Sequence, residues 1–211
     1  MGQYYFPILL DKTKTRPLFY AYSHDFGNGL KLMEHSWMKN DFVRFIEHLL
    51  MQQPFNLAWC GDYAEGEKLT ETELKKYSQK NNDYMSVDVL REKGLNLQDL
   101  CDYVGTKLIH NKERDVKPSD SRGIAPLTAK YLINYDKKEF CDKSKIPNVD
   151  GCQVHPLPLL TAEGNGQGGG DYFSDNGIEF VGTWARDLIG VSTKKSDIPK
   201  DFVEIFPNFK E

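Results

Sequence analysis

The strongest structural constraint in the sequence is a single amphipathic helix, predicted over residues 41–51. Its apolar side chains recur at the i, i+3, i+4, i+7 and i+8 spacing of one helical face. They are Phe42, Phe45, Ile46, Leu49 and Leu50. Asn40 stands just before this stripe and is a residue type that commonly caps helix N-termini. The sequence therefore predicts one well-defined helix that packs on a core through one face.

Most of the other apolar segments are typical of short strands. Residues 3–10, 17–22 and 55–60 are rich in aromatic and β-branched side chains and are bounded by turn residues. The regular alternation of strand and helix that a parallel doubly wound sheet requires is missing. We therefore predict an α+β fold with a largely antiparallel sheet, in a single domain that covers residues 1–211.

The middle of the chain, residues 64–122, has a different character. Its charge is higher and its apolar periodicity is weaker, which indicates an insertion or a lid-like layer on the main fold. Thr70 and Glu73 have the spacing of a capping box at the start of a short helix. Two more short helices are predicted over Met85–Glu92 and Leu97–Tyr103. We expect this region to be partly helical.

Two segments in the last third of the chain are predicted to lack helix. His155–Leu160 contains two prolines and is expected to be extended. Asp175–Gly177 has the Asp-Asn-Gly composition of a tight hairpin turn, so strands are expected on both sides of it.

Composition excludes several classes of function. The formal net charge is −4, which argues against general nucleic-acid binding because that activity requires a basic surface. No run of about 18 apolar residues is present, so no membrane span is predicted, and no signal peptide is recognised at the N-terminus. The four cysteines form no CxxC pair and complete no zinc spacing with histidine. We therefore predict a cytoplasmic protein with reduced thiols, without a metal or cofactor; an oligomer is left open.

A glycine-rich stretch follows residue 163, and five of the seven residues from 164 to 170 are glycine. It matches GxGxxG, but a Pro-broken segment precedes it and a hairpin is predicted after it, so the dinucleotide-binding context is absent. It also lacks the Gly-Lys-Ser/Thr ending of a P-loop. Two interpretations stay open: backbone N–H groups that bind an anion, or a structural loop packed under another chain segment.

Side chains with chemical potential gather in a few segments. Residues 23–37 combine histidines, carboxylates, a lysine and a tryptophan next to a Gly-Asn-Gly turn, and polar groups follow the strand at 55–60. An arginine suited to bidentate phosphate contacts lies near the C-terminus, and aromatic rings are available for stacking. The predicted ligand-binding residues are His24, Asp25, Asn28, Lys31, Glu34, His35, Trp37, Asp62, Tyr63, Asn165, Gln167, Asp171, Tyr172, Trp184 and Arg186.

Several of these segments together resemble a known family. They are Met1–Tyr5, Tyr22–Trp37, Trp59–Ala64, Leu157–Tyr172 and Val181–Asp187. They resemble a family of proteins found in bacteria and their phages whose activity is uncharacterised. The resemblance covers both ends of the chain and leaves the charged middle unmatched. It implies a cytosolic protein, phage-encoded in some members, and transfers no activity.

Three functions are compatible with these patterns. The leading hypothesis is a binding protein for a small phosphorylated or nucleotide-like ligand, which in a phage would sequester a signal of host immunity. The second is a hydrolase for a phosphorylated or nucleotide substrate that uses His24, Asp25, Glu34, His35 and Asp62, with or without a metal. The third is a protein that binds or inhibits a macromolecule, with residues 64–122 as its interface.

Overall fold

The computed structural model describes residues 1–78, 91–104, 106–109 and 129–210. The strands are β1 (Tyr5–Leu10), β2 (Pro17–Tyr20), β3 (Phe55–Gly61), β4 (Lys107–Leu108), β5 (Tyr131–Asn134), β6 (Glu139–Asp142), β7 (Ala162–Glu163), β8 (Leu188–Ser192) and β9 (Val203–Ile205). The α-helices are α1 (Leu32–His35), α2 (Asp41–Gln52), α3 (Glu71–Ser78), α4 (Leu97–Val104) and α5 (Pro156–Leu160). Short 3₁₀ turns lie at Ser23–Phe26, Lys143–Lys145, Ile178–Phe180 and Lys195–Asp197.

All of these strands join one mixed sheet in the order β4-β2-β1-β3-β8-β5-β6-β9, with β7 attached to β3. The pairs of β1 with β2 and β3, of β8 with β3 and β5, and of β5 with β6 are antiparallel. The pairs β2–β4, β3–β7 and β6–β9 are parallel. The predicted α+β fold with a largely antiparallel sheet is therefore confirmed.

The sheet forks along one edge of β3. The first residues of β3, Phe55 and Asn56, pair with β8, whereas Trp59 and Cys60 pair with β7. Between these two pairs, Leu57 bonds to the turn before β8. Its carbonyl accepts from Arg186 N at 2.8 Å, and its N–H donates to Asp187 O at 3.2 Å. The segment before β8 also contacts the end of α5, because Gly182 N donates to Leu159 O at 2.8 Å and Trp184 N donates to Leu160 O at 2.7 Å.

The two faces of the sheet are covered by different parts of the chain. Tyr5, Leu9, Leu57 and Trp59 belong to the largest core cluster, together with the apolar face of α2. The alternate residues of β1 and β3 point to the other face, as a pleated strand requires, and pack with residues of α3 and α4 in a second cluster. Helices α3 and α4 of the charged middle thus pack on the far face of the sheet, whereas β4 joins its edge.

Local predictions were confirmed where capping chemistry agrees with periodicity. The helix predicted over 41–51 is α2, and the Asn40 side chain accepts hydrogen bonds from Phe42 N at 3.0 Å and Val43 N at 3.4 Å. The capping box at α3 is formed, with Thr70 N 2.9 Å from the Glu73 carboxylate. The helix predicted over 97–103 is α4. Most of the helix predicted over 85–92 lies outside the described residues, and the single-domain assignment stays a prediction.

The two predictions for the last third of the chain were wrong. Residues 156–160 form α5 because Pro156 stands at the first helical position, where its missing N–H has no helical acceptor to lose. His155 Nδ1 caps the helix by accepting from Leu157 N at 3.2 Å. Around Asp175–Gly177 no strands form among the described residues. Gly177 instead leads into a 3₁₀ turn, with φ at 75°.

No helix within the described ranges is both long and apolar enough to cross a membrane.

Candidate functional site

The glycine-rich stretch wraps around the side chain of Gln3, which is fully buried. A Cβ at Gly168 would lie 2.7 Å from Gln3 N, and one at Gly164 would lie 2.8 Å from Gln3 Nε2. On the other side, a Cβ at Gly61 would lie 2.8 Å from Gln3 Cδ. Distances this short exclude any side chain larger than hydrogen. Gly61, Gly164 and Gly168 are therefore required by the close approach of the N-terminal segment.

Gln3 links the segments that it contacts. In the amide orientation that satisfies its neighbours, its nitrogen lies 3.0 Å from Asn165 Oδ1 and 3.0 Å from Asp171 Oδ2. Its oxygen accepts from Tyr63 N at 3.1 Å. A buried amide must have such partners, because an unpaired polar group in the interior is costly. Gln3 thus connects the end of β3 to the glycine-rich stretch.

Three consecutive N–H groups of the glycine-rich stretch are engaged within the protein. Gly168 N donates to Asp171 Oδ2 at 2.9 Å, and Gln167 N donates to Asn165 Oδ1 at 3.0 Å. Gly169 N donates to Met1 O at 3.0 Å. An anion nest requires N–H groups that are still able to donate. Of the two interpretations of this stretch, the structural loop under another chain segment is the one that the contacts support.

Asp171 adds a negative charge at the same place. It is buried, and its Oδ1 has no hydrogen-bond partner among the described residues. Burial raises the pKa of Asp171, and the nearby carboxylate of Asp62 acts in the same direction. Asp62 in turn accepts from Tyr4 N at 2.9 Å. Two neighbouring carboxylates would repel a phosphate group.

Residues 23–37 do reach the glycine-rich stretch. Met33 N donates to Gly170 O at 2.9 Å, and the stem of Lys31 packs against Gly170. Lys31 also pairs with Glu34 at 3.8 Å, on the surface. The structure therefore brings together the segments that were predicted to form a site, but it places Gln3 between them.

The remaining polar residues of that segment face other surroundings. His24 and Asp25 are exposed on a 3₁₀ turn. Asn28 Oδ1 accepts from Asn40 Nδ2 at 2.8 Å. Trp37 is half-buried and forms an isolated β-bridge with residue 154. These residues do not converge on the stretch that holds Gln3.

His35 is a buried structural residue. Its Nε2 accepts from Trp59 Nε1 at 2.8 Å, and its Nδ1 lies 3.1 Å from Gly29 O. Because an indole nitrogen can only donate, Nε2 carries no proton and Nδ1–H donates to the carbonyl. Burial lowers the pKa of His35 to about 4. At neutral pH both ring nitrogens are occupied and unable to transfer a proton.

Arg186 is held by two carboxylates. Its Nε and Nη2 form a bidentate pair with Glu163 at 2.7 and 2.5 Å, and Nη1 pairs with Glu67. The hydrogen bond to Glu163 is the main reason why the pKa of Arg186 is raised further. The guanidinium predicted to bind phosphate is therefore neutralised inside the protein.

The other predicted residues divide between core and surface. Tyr172 is buried and donates to Lys210 O at 2.9 Å, and Trp184 is buried and donates to Glu139 Oε2 at 2.7 Å. Tyr63 is 39% exposed, and Asn165 and Gln167 are exposed as well. The two buried aromatics fasten the C-terminal tail and β6, and neither ring is open to stacking by a ligand.

A cleft of about 520 Å³ that the sequence did not indicate lies between the β1–β2 turn and α3. Cationic side chains line it from three segments: Arg16 in the turn, Lys68 before α3 and Lys76 on α3. None of the three forms an ion pair within 4 Å with another described residue. The other lining residues are Thr15, Glu67, Leu69, Glu73, Tyr77, Leu95 and Leu100.

Two glycines fix the floor of this cleft. Glu67 and Leu95 exchange backbone hydrogen bonds of 3.0 and 3.2 Å. Gly94, at φ 69°, allows the approach because a Cβ there would collide with Glu67 O, and one at Gly66 would lie 2.9 Å from Gly94 C. In sequence, Arg16 and Lys76 are ordinary charged surface residues. Only the folding of α3 against the β1–β2 hairpin brings them together, so no local signal marks them.

A second group missed from the sequence is a buried charge cluster. Glu47 on α2 pairs with Lys143, and its carboxylate lies 3.2 Å from His155 Nε2. Burial acts to raise the pKa of Glu47, but the two partners outweigh it and lower that pKa. Since His155 Nδ1 caps α5, its Nε2–H donates to the carboxylate. Every member is satisfied internally, and the cluster joins α2 to α5.

Comparison with models of protein families, with curated proteins and with solved structures finds no match. The resemblance to the bacterial and phage family therefore stays a prediction. Over the described ranges, no group of three or more His, Cys, Asp or Glu side chains is arranged to hold a metal ion.

Proposed function

We propose that this protein binds a small phosphorylated or nucleotide-like ligand, and that the phosphate is held in the cleft formed by Arg16, Lys68 and Lys76. The observation that carries the proposal is the convergence of these three cations, each without an ion-pair partner among the described residues, on one cleft. Arginine offers a planar fork for phosphate oxygens, and lysine adds a mobile point charge.

The size and setting of the cleft fit such a ligand. A volume of about 520 Å³ is in the range of small-molecule sites. The net charge of −4 disfavours long nucleic acids, but local cations can still attract a compact anion. In a phage protein acting in the host cytoplasm, binding without turnover would sequester a nucleotide signal.

The hydrolase alternative receives no support from the geometry. Of its five candidate residues, His35 is buried with both nitrogens engaged, and His24 and Asp25 lie on an exposed turn. No histidine is among the described residues that line the cleft. We therefore favour binding over turnover.

The test is calorimetric titration of the full chain with inorganic tripolyphosphate, ribonucleoside triphosphates, cyclic dinucleotides and ADP-ribose. Lys76→Glu should weaken each phosphate ligand that binds by at least about tenfold, since a charge-assisted hydrogen bond is lost and a repulsion is added. Lys200→Glu is the matched control, because it makes the same change in net charge at an exposed residue that does not line the cleft.

Two results would count against the proposal. One is the absence of binding by every ligand of the panel. The other is an equal loss of affinity in Lys76→Glu and Lys200→Glu, which would assign the attraction to overall charge. Product analysis by chromatography after incubation would separate binding from turnover.

A further inference from the structure

The same cleft contains two carboxylates as well as three cations. Glu67 and Glu73 line it, and each has one oxygen fixed by the protein: Glu67 Oε1 by Arg186, and Glu73 Oε2 by Thr70, whose Oγ1 lies 2.6 Å away. Carboxylates repel inorganic phosphate and would weaken its binding. Their presence therefore indicates a ligand that has other polar groups besides phosphate.

On each of the two carboxylates, the second oxygen is still available as an acceptor. Glu67 Oε2 and Glu73 Oε1 have no hydrogen-bond partner among the described residues. An ionised carboxylate only accepts, so these oxygens require hydroxyl or amino donors. Sugar hydroxyls and the exocyclic amines of bases are donors of this kind.

Arg186 acts as a positioning residue for this acceptor pair. The bidentate contact with Glu163 fixes the guanidinium, and its Nη1 then holds the Glu67 carboxylate at the cleft. The backbone of Glu67 is fixed independently by its two hydrogen bonds to Leu95. The carboxylate is thus held in place before any ligand arrives, which lowers the entropy lost on binding.

A small apolar surface completes the cleft. It is offered by Leu69, which is half-buried; Leu95 and Leu100 also line the cleft but are themselves buried. Inorganic polyphosphates have no apolar part that could bury this surface, whereas a nucleoside does. Cations, acceptors and apolar side chains together match the three parts of a nucleotide: phosphates, hydroxyl or amino groups, and a ring.

We infer that the ligand of the cleft is a nucleotide, whose phosphates contact the cations and whose sugar or base donates to Glu67 and Glu73. This inference rests on the proposed function, because it requires the cleft to bind phosphate. It adds that affinity depends on the nucleoside part, which the two carboxylates recognise.

The experiment compares ribonucleoside triphosphates with inorganic tripolyphosphate, which carries a phosphate chain of the same length without a nucleoside. Calorimetry should show at least one nucleoside triphosphate binding about tenfold or more tighter than tripolyphosphate, a difference typical of one or two good hydrogen bonds to charged groups. Each of the variants Glu67→Gln and Glu73→Gln should change the affinities for the two probes in opposite directions. Removing a negative charge should strengthen tripolyphosphate, whereas losing an acceptor should weaken the nucleotide.

Glu65→Gln is the matched control, since Glu65 is an exposed neighbour that does not line the cleft. It should leave the ratio of the two affinities unchanged. Equal binding of all triphosphates and tripolyphosphate, or strengthening of both probes by Glu67→Gln and Glu73→Gln, would overturn the inference while leaving the proposed phosphate site intact. If no probe binds, the proposed function itself fails.

Discussion

Protonation of His35 should destabilise the protein below neutral pH. In the folded state the pKa of His35 lies at about 4, against 6.5 for an ordinary histidine, because the ring is buried. The unfolded chain therefore takes up a proton as the pH falls below about 6.5, whereas the folded chain does not until about pH 4. Stability is lost within that window, and the shift corresponds to about 3 kcal/mol in full and about 2 kcal/mol between pH 7 and pH 5.

The assay is urea unfolding at pH 7 and pH 5, followed by circular dichroism, for the wild type and His35→Gln. Glutamine can still accept from Trp59 Nε1, and Gly29 O keeps its donor in Ser23 Oγ at 2.7 Å. The variant should therefore fold, with a free energy of unfolding that changes about 2 kcal/mol less between the two pH values than in the wild type.

His48 supplies the control because it is exposed and contacts Gln52 on the surface. His48→Gln should show the wild-type pH dependence. His155 is buried too, and burial lowers its pKa, but it is present in all three proteins and cancels in the comparison. An identical pH dependence in wild type and His35→Gln would refute the assignment of His35 as a neutral buried residue.

Two further predictions concern stability. Gly168→Ala should cost about 2 kcal/mol in urea unfolding, because its Cβ would lie 2.7 Å from a backbone nitrogen of the N-terminal segment. Gly169→Ala should cost less than about 0.5 kcal/mol, because its nearest neighbours would be 3.7 Å away; similar losses in both would contradict the packing argument. Lys143→Met should cost about 3–5 kcal/mol, since it leaves Glu47 buried without its cation, whereas Lys145→Met, at an exposed pair, should cost less than about 1 kcal/mol.

Sequence reasoning succeeded where structure is decided locally. The spacing of apolar residues and the cap at Asn40 were sufficient for α2, and the Thr70–Glu73 pair was sufficient for the start of α3. It failed at residues 156–160, where prolines were treated as helix breakers although both lie in the first turn of a helix. A proline disfavours a helix in its interior but is tolerated in its first turn. The His155 ring caps this first turn, and the composition of the segment does not indicate that cap.

The candidate site could not be predicted for a different reason. A loop packed under another chain segment was one of two interpretations left open for the glycine-rich stretch, and the sequence did not indicate that the segment contains Gln3, at the opposite end of the chain. Likewise, the partners of Arg186 are Glu163, on β7, and Glu67, in the bridge to Leu95, and both are distant from it in sequence. Contacts between segments that are distant in sequence depend on the topology of the fold, and no local pattern in a single sequence predicts them.

These pairings explain why an anion site is better placed at the cleft than at the glycine-rich stretch. Phosphate binding requires donors that are not already satisfied, because exchanging one hydrogen-bond partner for another gains little free energy. In the stretch, the N–H groups of residues 167–169 are engaged and the Asp171 carboxylate lies beside them. Arg186 pairs with Glu163 and is therefore not available to a phosphate. The same guanidinium holds Glu67 at the cleft. In the proposed site, the residue first expected to bind the phosphate would therefore orient an acceptor for the rest of the ligand.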